Sequence, residues 1–557
     1  MATESAETIV EALKAWALKA PDKEVFRFMK DLEVYASLTP QYILQVASKF
    51  AARLRKYGLT DGDVVGNTLS NSPERLLTDF GILLAGCVTV SCETAEHFSE
   101  QFWSTIRTAQ CKAILLTTNQ ENHAFRLFRP FMPDSSQKSG QANVQIDKVQ
   151  SVRQLIYCHR DDGSGQEVSL LESLEDDESE GYIASPKPDD LATVFVTTGS
   201  RGTCLLIPRS HWTILTVGKM FQKNHGCFFN DRPLGWVFSF PYDFLNESSV
   251  RVLLDYFECQ KRVSAQDKWN VICKAKCETA FLLPQVLLEL ITVLREKRPS
   301  YKVHTLITGG QPIIQSITGA IGLLTEYVKV IYFATETGLL TSAVVSQQNK
   351  TEMKLYYCGM PIKDVELQIV NDEGEQLAPY GVGNIAVKSP TMATSYYNQP
   401  GVMQTFVNGF YVTQDRGYVD DIGSLYCFGR AGEQLKLGDV TYYASNIQAM
   451  LYHSPDVLRN FVVVVKDRDG REKFYACIVP VTGARLSKES MQRYCQLYLC
   501  SPHSLMALNT SNNSTSILDH LEFLFFDKLP EAANGKIPIA LLKDMIRLRL
   551  GFELQPR

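Results

Sequence analysis

The first candidate for chemistry in this chain is a loop of small and hydroxyl-bearing residues. An apolar run, Leu191-Ala192-Thr193-Val194-Phe195-Val196, reads as a buried strand and empties into Thr197-Thr198-Gly199-Ser200-Arg201-Gly202-Thr203. Hydroxyls, together with backbone N–H groups that two glycines leave unshielded, could cradle an anion such as a phosphate. The spacing matches neither the P-loop nor the dinucleotide fingerprint, so an ordinary glycine-containing turn accounts for the loop equally well. A second cluster, Glu172 to Glu180, lies in a stretch from 160 to 190 that is rich in Asp, Glu, Ser, Gly and Pro. That composition predicts a solvated excursion between packed subregions, with an acidic metal site as the alternative.

Further along come Thr308-Gly309-Gly310-Gln311-Pro312, Tyr332-Phe333-Ala334-Thr335-Glu336-Thr337, Tyr411-Val412-Thr413-Gln414-Asp415, Gly429-Arg430 and Gly535-Lys536, in that order. Shorter segments accompany them: Gly62-Asp63-Val64-Val65, Gly81-Ile82-Leu83-Leu84-Ala85-Gly86, Tyr396-Tyr397-Asn398-Gln399-Pro400, and Leu529-Pro530 ahead of Gly535-Lys536-Ile537. With these motifs the sequence resembles the adenylate-forming superfamily of acyl-CoA synthetases, firefly-type luciferases and peptide-synthetase adenylation domains, from about residue 10 to about residue 545.

The resemblance implies a two-step ligase that uses ATP, Mg²⁺ and CoA. A carboxylic acid first attacks the α-phosphate to give an acyl-adenylate and pyrophosphate, and a thiol then displaces AMP. Thr197, Thr198, Gly199, Ser200 and Gly202 fall on the phosphate loop. Lys536 stands where a mobile ammonium bridges the substrate carboxylate and the α-phosphate, offsetting charge that grows in the transition state. Glu336 resembles the magnesium-holding glutamate, with the Thr335 hydroxyl beside it on phosphate oxygens, a hard-oxygen set suited to that ion. Tyr332 falls where an aromatic ring stacks on adenine. Gly309, Gly310 and Gln311 fall in the nucleotide-binding stretch, where the bare backbone of the two glycines approaches the nucleotide. Asp415 matches the carboxylate that accepts both ribose hydroxyls, and Arg430 the arginine on ribose or phosphate.

Several positions depart from the family pattern. Counting back from His211, Leu205 stands where a phosphate-holding lysine is usual and Leu206 where a glycine is usual; Arg201 and Arg209 are the nearby cations that could replace the lost charge. Gly432 occupies the hinge position, Leu437-Gly438-Asp439 keeps one glycine of the usual pair, and Gln414 replaces a glycine before Asp415. The acyl-pocket segment Phe240-Pro241-Tyr242-Asp243-Phe244 lacks a histidine that many relatives have. These changes open a second reading, a catalytically weakened relative that binds nucleotide, acyl ligand or a protein partner without turnover. A luciferase-like oxygenase is a further enzymatic option.

The elements that must position these residues are legible in the apolar periodicity. Helical spacing runs from Ser5 to Leu18 and again over residues 40 to 57; a short strand at Val64-Val65-Gly66 follows, and Asn71-Ser72-Pro73-Glu74 caps a helix through Leu84. Further strands are predicted at Thr279–Leu283, Val303–Ile307, Val328–Phe333, Asn384–Val387 and Phe461–Val465. This alternation predicts an α/β fold: a large lobe of several subdomains with mixed sheets over residues 1–430, and a small, mobile α+β domain over 431–557 that carries Lys536 and pivots near Ala431-Gly432. The 557 residues are 45% hydrophobic and 21% charged, which excludes disorder and small disulfide scaffolds. A net charge of −5 provides no basic field for nucleic acid. The 14 cysteines are scattered without zinc-ribbon spacing, and no apolar run reaches transmembrane length. With no signal-peptide pattern, and with Gln555-Pro556-Arg557 unlike a peroxisomal tripeptide, the cytoplasm is the expected location. Without a tethered carrier domain, CoA is the expected thiol; the chain length of the acid and the oligomeric state are not encoded in these motifs.

Overall fold

The computed structural model describes the chain except residues 1–5, 93–98, 133–139, 159–168, 176, 199–203, 221–225, 231, 242–248, 256–262, 352, 400–405, 408, 439, 500–515, 533–534 and 553–557. It packs as two compact units, one of residues 1–264, 270–279 and 391–404, the other of 265–269, 280–390 and 405–557.

In the first unit the periodicities become the expected elements. The helix Ile9–Lys19 starts at Thr8, whose hydroxyl accepts from the Glu11 N–H while the Glu11 carboxylate returns the bond, a capping box. The helix Pro73–Leu84 starts at Ser72 with Pro73 in its first turn, where a missing N–H costs nothing. A seven-stranded sheet runs in the order Gln141–Asn143, Gln154–Cys158, Ala113–Thr117, Val64–Asn67, Val88–Ser91, Leu191–Thr198, Cys204–Ser210. Its centre is parallel and its two ends are antiparallel. Phe102, Trp103, Ile106 and Phe128 pack on it with Val90, Ile114 and Leu206. The acidic stretch is tied down within this unit. A short helix, Leu170–Glu175, which the composition conceals, brings Glu175 to the Tyr42 hydroxyl, and Arg53 pairs with Asp177 at 3.3 Å. No group of three or more metal-ligating side chains occurs among the described residues.

The second unit holds a sheet in the order Val303–Gly309, Thr325–Ala334, Gly338–Val345, Tyr357–Pro361, Leu425–Arg430, Phe410–Val419, Gly383–Lys388, Glu366–Val370. The first pair is parallel and the rest antiparallel. From Gln434 onward the chain builds separate sheets, a two-stranded ribbon and the three strands Val457–Lys466, Glu472–Pro480 and Leu521–Phe525. Alternation along these strands feeds two cores. Val462, Val464, Phe474, Ala476 and Ile478 pack with the helices Ala444–Leu451 and Lys488–Leu499. Val463, Val465, Tyr475 and Cys477 pack with Leu542 and Ile546 of the helix Ile539–Arg549. The division into compact units does not fall at residue 430; the 1–430 and 431–557 division concerns which parts pivot and is taken up with the function.

Candidate active site

The two strands that end at Asp415 and Arg430 face each other in register, Asp415 opposite Arg430. Arg430 Nε lies 3.4 Å from Asp415 Oδ1. On the other carboxylate oxygen, Tyr332 donates its hydroxyl to Oδ2 at 2.8 Å. The sequence therefore brings three of its candidates into one cluster. Tyr332 is 7% exposed, and burial, then the Asp415 charge, pushes its phenol well above the ordinary range, so it stays a donor. The negative charge of Asp415, with Glu336 adding to it against the cost of burial, holds the Arg430 guanidinium above its own range.

Thr335, Glu336 and Thr337 form the turn of an antiparallel hairpin, with Ala334 opposite Gly338 and the Thr337 N–H donating to the Ala334 carbonyl at 3.2 Å. Glu336 is half-buried on that turn. A Thr-Glu pair at a helix start, the usual structural reason for such a dipeptide, does not apply here.

Gly309 and Gly310 close the strand Val303–Gly309, each for its own reason. A β-carbon on Gly309 would sit 2.2 Å from the Ile331 carbonyl oxygen, so its bareness lets two parallel strands meet. Gly310 has φ +79°, and a β-carbon there would lie 3.3 Å from Phe333 Cζ and 3.6 Å from Lys536 Nζ. Lys536, more than 200 residues further along the chain, thus presents its ammonium to the Gly310 backbone. Gln311 donates from Nε2 to Gln285 Oε1 at 3.0 Å, and Gln285 Nε2 donates to the Gly535 carbonyl.

Thr197 and Thr198 end a strand of the first unit and pair with Leu205 and Cys204 across an antiparallel hairpin. Gly199, Ser200, Arg201 and Gly202 lie outside the described residues. Leu206 belongs to the apolar core, and its backbone N–H donates to Gln399 at 3.0 Å. Arg209 is fully buried and donates to the Thr391 carbonyl at 2.6 Å, which makes it a brace between segments of its own unit. In the acyl-pocket segment, Phe240 packs edge-on against Phe80 at 4.7 Å between ring centroids, and residues 242–244 lie outside the described residues.

Linear reading missed Gln285, Glu289, Arg459 and Glu531. Arg459 Nε lies 3.9 Å from Glu289, and Arg459 Nη1 pairs with Glu531, five residues ahead of Lys536. A buried arginine in a strand of valines is a signal that could have found Arg459; Gln285, one polar residue beginning an apolar helix, leaves almost none.

An Asp-Arg-Tyr cluster and a lysine beside a glycine turn are thus set on an α/β frame. Residues 13–397 match the sequence model of the AMP-binding enzyme family, more than half of the chain, and the protein belongs to that family. It is 24% identical over 467 residues to a 2-succinylbenzoate–CoA ligase of Bacillus velezensis, covering 82% of this chain and 86% of that protein. With 4-coumarate–CoA ligase 4 of Arabidopsis thaliana it shares 23% identity over 533 residues, 89% of this chain and 84% of the relative. Among solved structures, an anthranilate CoA ligase in complex with anthranoyl-AMP superposes with a TM-score of 0.79 at 17% identity, over 99% of this chain and 100% of the other. The o-succinylbenzoate CoA synthetase of Bacillus subtilis with ATP and magnesium gives 0.71 at 18%, over 96% and 99%. At these identities the structural likeness speaks for the fold.

Proposed function

We propose that the chain is an AMP-forming acid–thiol ligase that activates a carboxylic acid with ATP and transfers the acyl group to CoA. The observation that carries this reading is Lys536 beside Gly310, in the same unit that joins Tyr332, Asp415 and Arg430. In the first step a carboxylate oxygen attacks the α-phosphorus, the bond to the bridging oxygen breaks and pyrophosphate leaves. In the second a thiolate attacks the acyl carbon and AMP leaves. Lys536 offsets phosphate charge, and Asp415 with Arg430 holds the ribose end. The Glu336 carboxylate on a tight turn, beside the hydroxyls of Thr335 and Thr337, fits Mg²⁺, which takes one or two carboxylates and fills its octahedron with phosphate oxygens and water. When bound, the ion would neutralise phosphate charge. Relatives named for 2-succinylbenzoate, 4-coumarate and anthranilate favour an aromatic acid as the first substrate to test. The 431–557 part pivots near Gly432 between the two steps, and the cytoplasm is the compartment that the composition supports.

The test is carboxylate-dependent pyrophosphate release from Mg-ATP over aromatic and aliphatic acids, with and without CoA. Lys536→Ala is expected to lower the rate by about 10²- to 10³-fold, the cost of losing one transition-state charge partner. A second reading is favoured by Leu205 and Leu206. Leu205 puts hydrocarbon where the resemblance places a lysine, Leu206 adds a buried side chain where it places a glycine, and Arg209 is committed to Thr391. ATP binding with no acid turned over would establish that reading, a nucleotide-binding relative without catalysis.

A further inference from the structure

We infer that Gln285 is a positioning residue that latches the Lys536 segment to the nucleotide-binding stretch. It is the second residue of the helix Pro284–Leu294 and is 7% exposed. The N-cap residue of that helix, Leu283, has no polar side chain to satisfy the first-turn N–H groups, and Gln311 supplies an acceptor to the Gln285 N–H at 3.4 Å. The two side-chain amides then face each other, Gln311 Nε2 to Gln285 Oε1 at 3.0 Å. That leaves the Gln285 Nε2 group, which donates to the carbonyl of Gly535, the residue bonded to Lys536. One amide thus spends its acceptor on the residue after Gly310 and its donor on the residue before Lys536.

A second tie reinforces the first. Glu289 is four residues beyond Gln285, on the same face of the helix. Arg459, 4% exposed, lies between Glu289 and Glu531, so the helix reaches the segment leading to Lys536 at both ends. The segment also closes on itself: the Ala532 N–H donates to the Lys536 carbonyl at 2.9 Å, and the Gly535 N–H to the Ala532 carbonyl at 2.8 Å. A lysine side chain loses much rotamer freedom when fixed, so a fixed backbone beneath it determines whether the ammonium stays at Gly310. Gln285 acts through Lys536.

The inference rests on the ligase reading for its kinetic form, and the test separates the two. In Gln285→Ala, pyrophosphate release in the adenylation half-reaction is expected to slow by roughly 10- to 100-fold, the scale of a 1 Å misplacement, with the KM for ATP nearly unchanged. Thioester formation from a supplied acyl-adenylate and CoA is expected to hold within about twofold of the parent, since the latch must open for that step. Arg459→Met, similar in bulk and without charge, is expected to show the same split. Equal loss of both half-reactions, or no loss in either, overturns the latch. If the parent protein turns over no acid, the ligase reading fails, and the latch is judged by hydrogen exchange alone. Amides across 529–537 should then exchange at least about tenfold faster in Gln285→Ala than in the parent, while those across 461–465 do not change. Unchanged exchange across 529–537 overturns it.

Discussion

Asp415 is the proposed ribose partner, and its two carboxylate oxygens are both engaged. One oxygen receives the Tyr332 hydroxyl at 2.8 Å and the other lies 3.4 Å from Arg430 Nε. The chain thus holds the carboxylate at a fixed angle. The sequence places Tyr332 as an adenine platform, and the structure adds a hydrogen bond that periodicity cannot reveal, because the partners are 83 residues apart. Tyr332→Phe keeps the ring and removes the donor, leaving a half-buried carboxylate oxygen unsatisfied. The expected cost is about 1–3 kcal/mol of ATP affinity, a rise in Kd of roughly 5- to 150-fold, with a smaller change in kcat. Calorimetric titration of ATP into the two proteins measures it. An unchanged Kd would mean that Asp415 does not serve the nucleotide. Gly309 carries a different lesson, since it sits inside a nucleotide motif while its visible task is to let strand backbones approach.

Elements were legible where local chemistry specifies them. Ser72 with Pro73 starts a helix where the capping pattern places it; the periodic runs from Ser5 and from residue 40 became Ile9–Lys19 and Pro40–Lys56, begun at Thr8 and Thr39; and the valine-rich runs became strands with ends shifted by a few residues. What stayed hidden was long-range. The Leu170–Glu175 helix is held by Tyr42 and Arg53, and the helix bearing Gln285 takes an acceptor from Gln311. His211 shows how such a contact creates pH dependence. It begins the helix His211–Met220, and its Nδ1 accepts the Ile9 N–H at 3.3 Å, one of the donors that the first turn of the N-terminal helix leaves open. Burial pushes its pKa down to about 4, against the pull of Asp190 and Glu11, so it is neutral when folded. The unfolded chain protonates near the ordinary value of about 6.5. Stability is therefore intact above about pH 6.5 and falls as the pH drops toward 4, because there the unfolded state binds the extra proton. The expected loss is close to 1.4 kcal/mol per pH unit, about 3 kcal/mol in total, from this one group. Denaturant titrations at pH 7, 6 and 5 on the parent and His211→Gln check it, and a slope that the substitution leaves unchanged would assign the acid sensitivity elsewhere.

At the scale of the whole molecule the question is how residues 431–557 move. They carry two cores of their own on opposite faces of one sheet, and Glu433 is bound to Lys543 and to the Val464 N–H, so the segment just past the expected pivot belongs to that body. Around the expected pivot the Glu433 N–H donates to the Arg430 carbonyl at 3.0 Å and the Ser445 hydroxyl to the Phe428 carbonyl at 2.6 Å. The Ala431 N–H donates to the Gln414 carbonyl at 2.9 Å, and a β-carbon on Gly432 would meet nothing within 4 Å. On the proposed reading, a part with its own cores joined through an uncrowded glycine would rotate without dismantling either core, once the ties to Gln285, Glu289 and Phe428 open. In the arrangement described, Lys536 Nζ lies 3.6 Å from where a β-carbon on Gly310 would sit, the placement that the proposed adenylation step calls for. On the proposed reading, the adenylation side of the cycle is the one held by Gln285 and Arg459, and formation of an acyl-adenylate is expected to release it. Loading the protein with a non-hydrolysable acyl-adenylate analogue and then adding CoA is expected to speed hydrogen exchange across 529–537, because the Gln285 bond to the Gly535 carbonyl opens. Residues 461–465, inside the moving body, are expected to keep their protection, since a rigid rotation leaves their ladder intact. Faster exchange in both segments would mean local unfolding. No change in either would mean that this chain completes its thiol step, if it has one, without turning its C-terminal body.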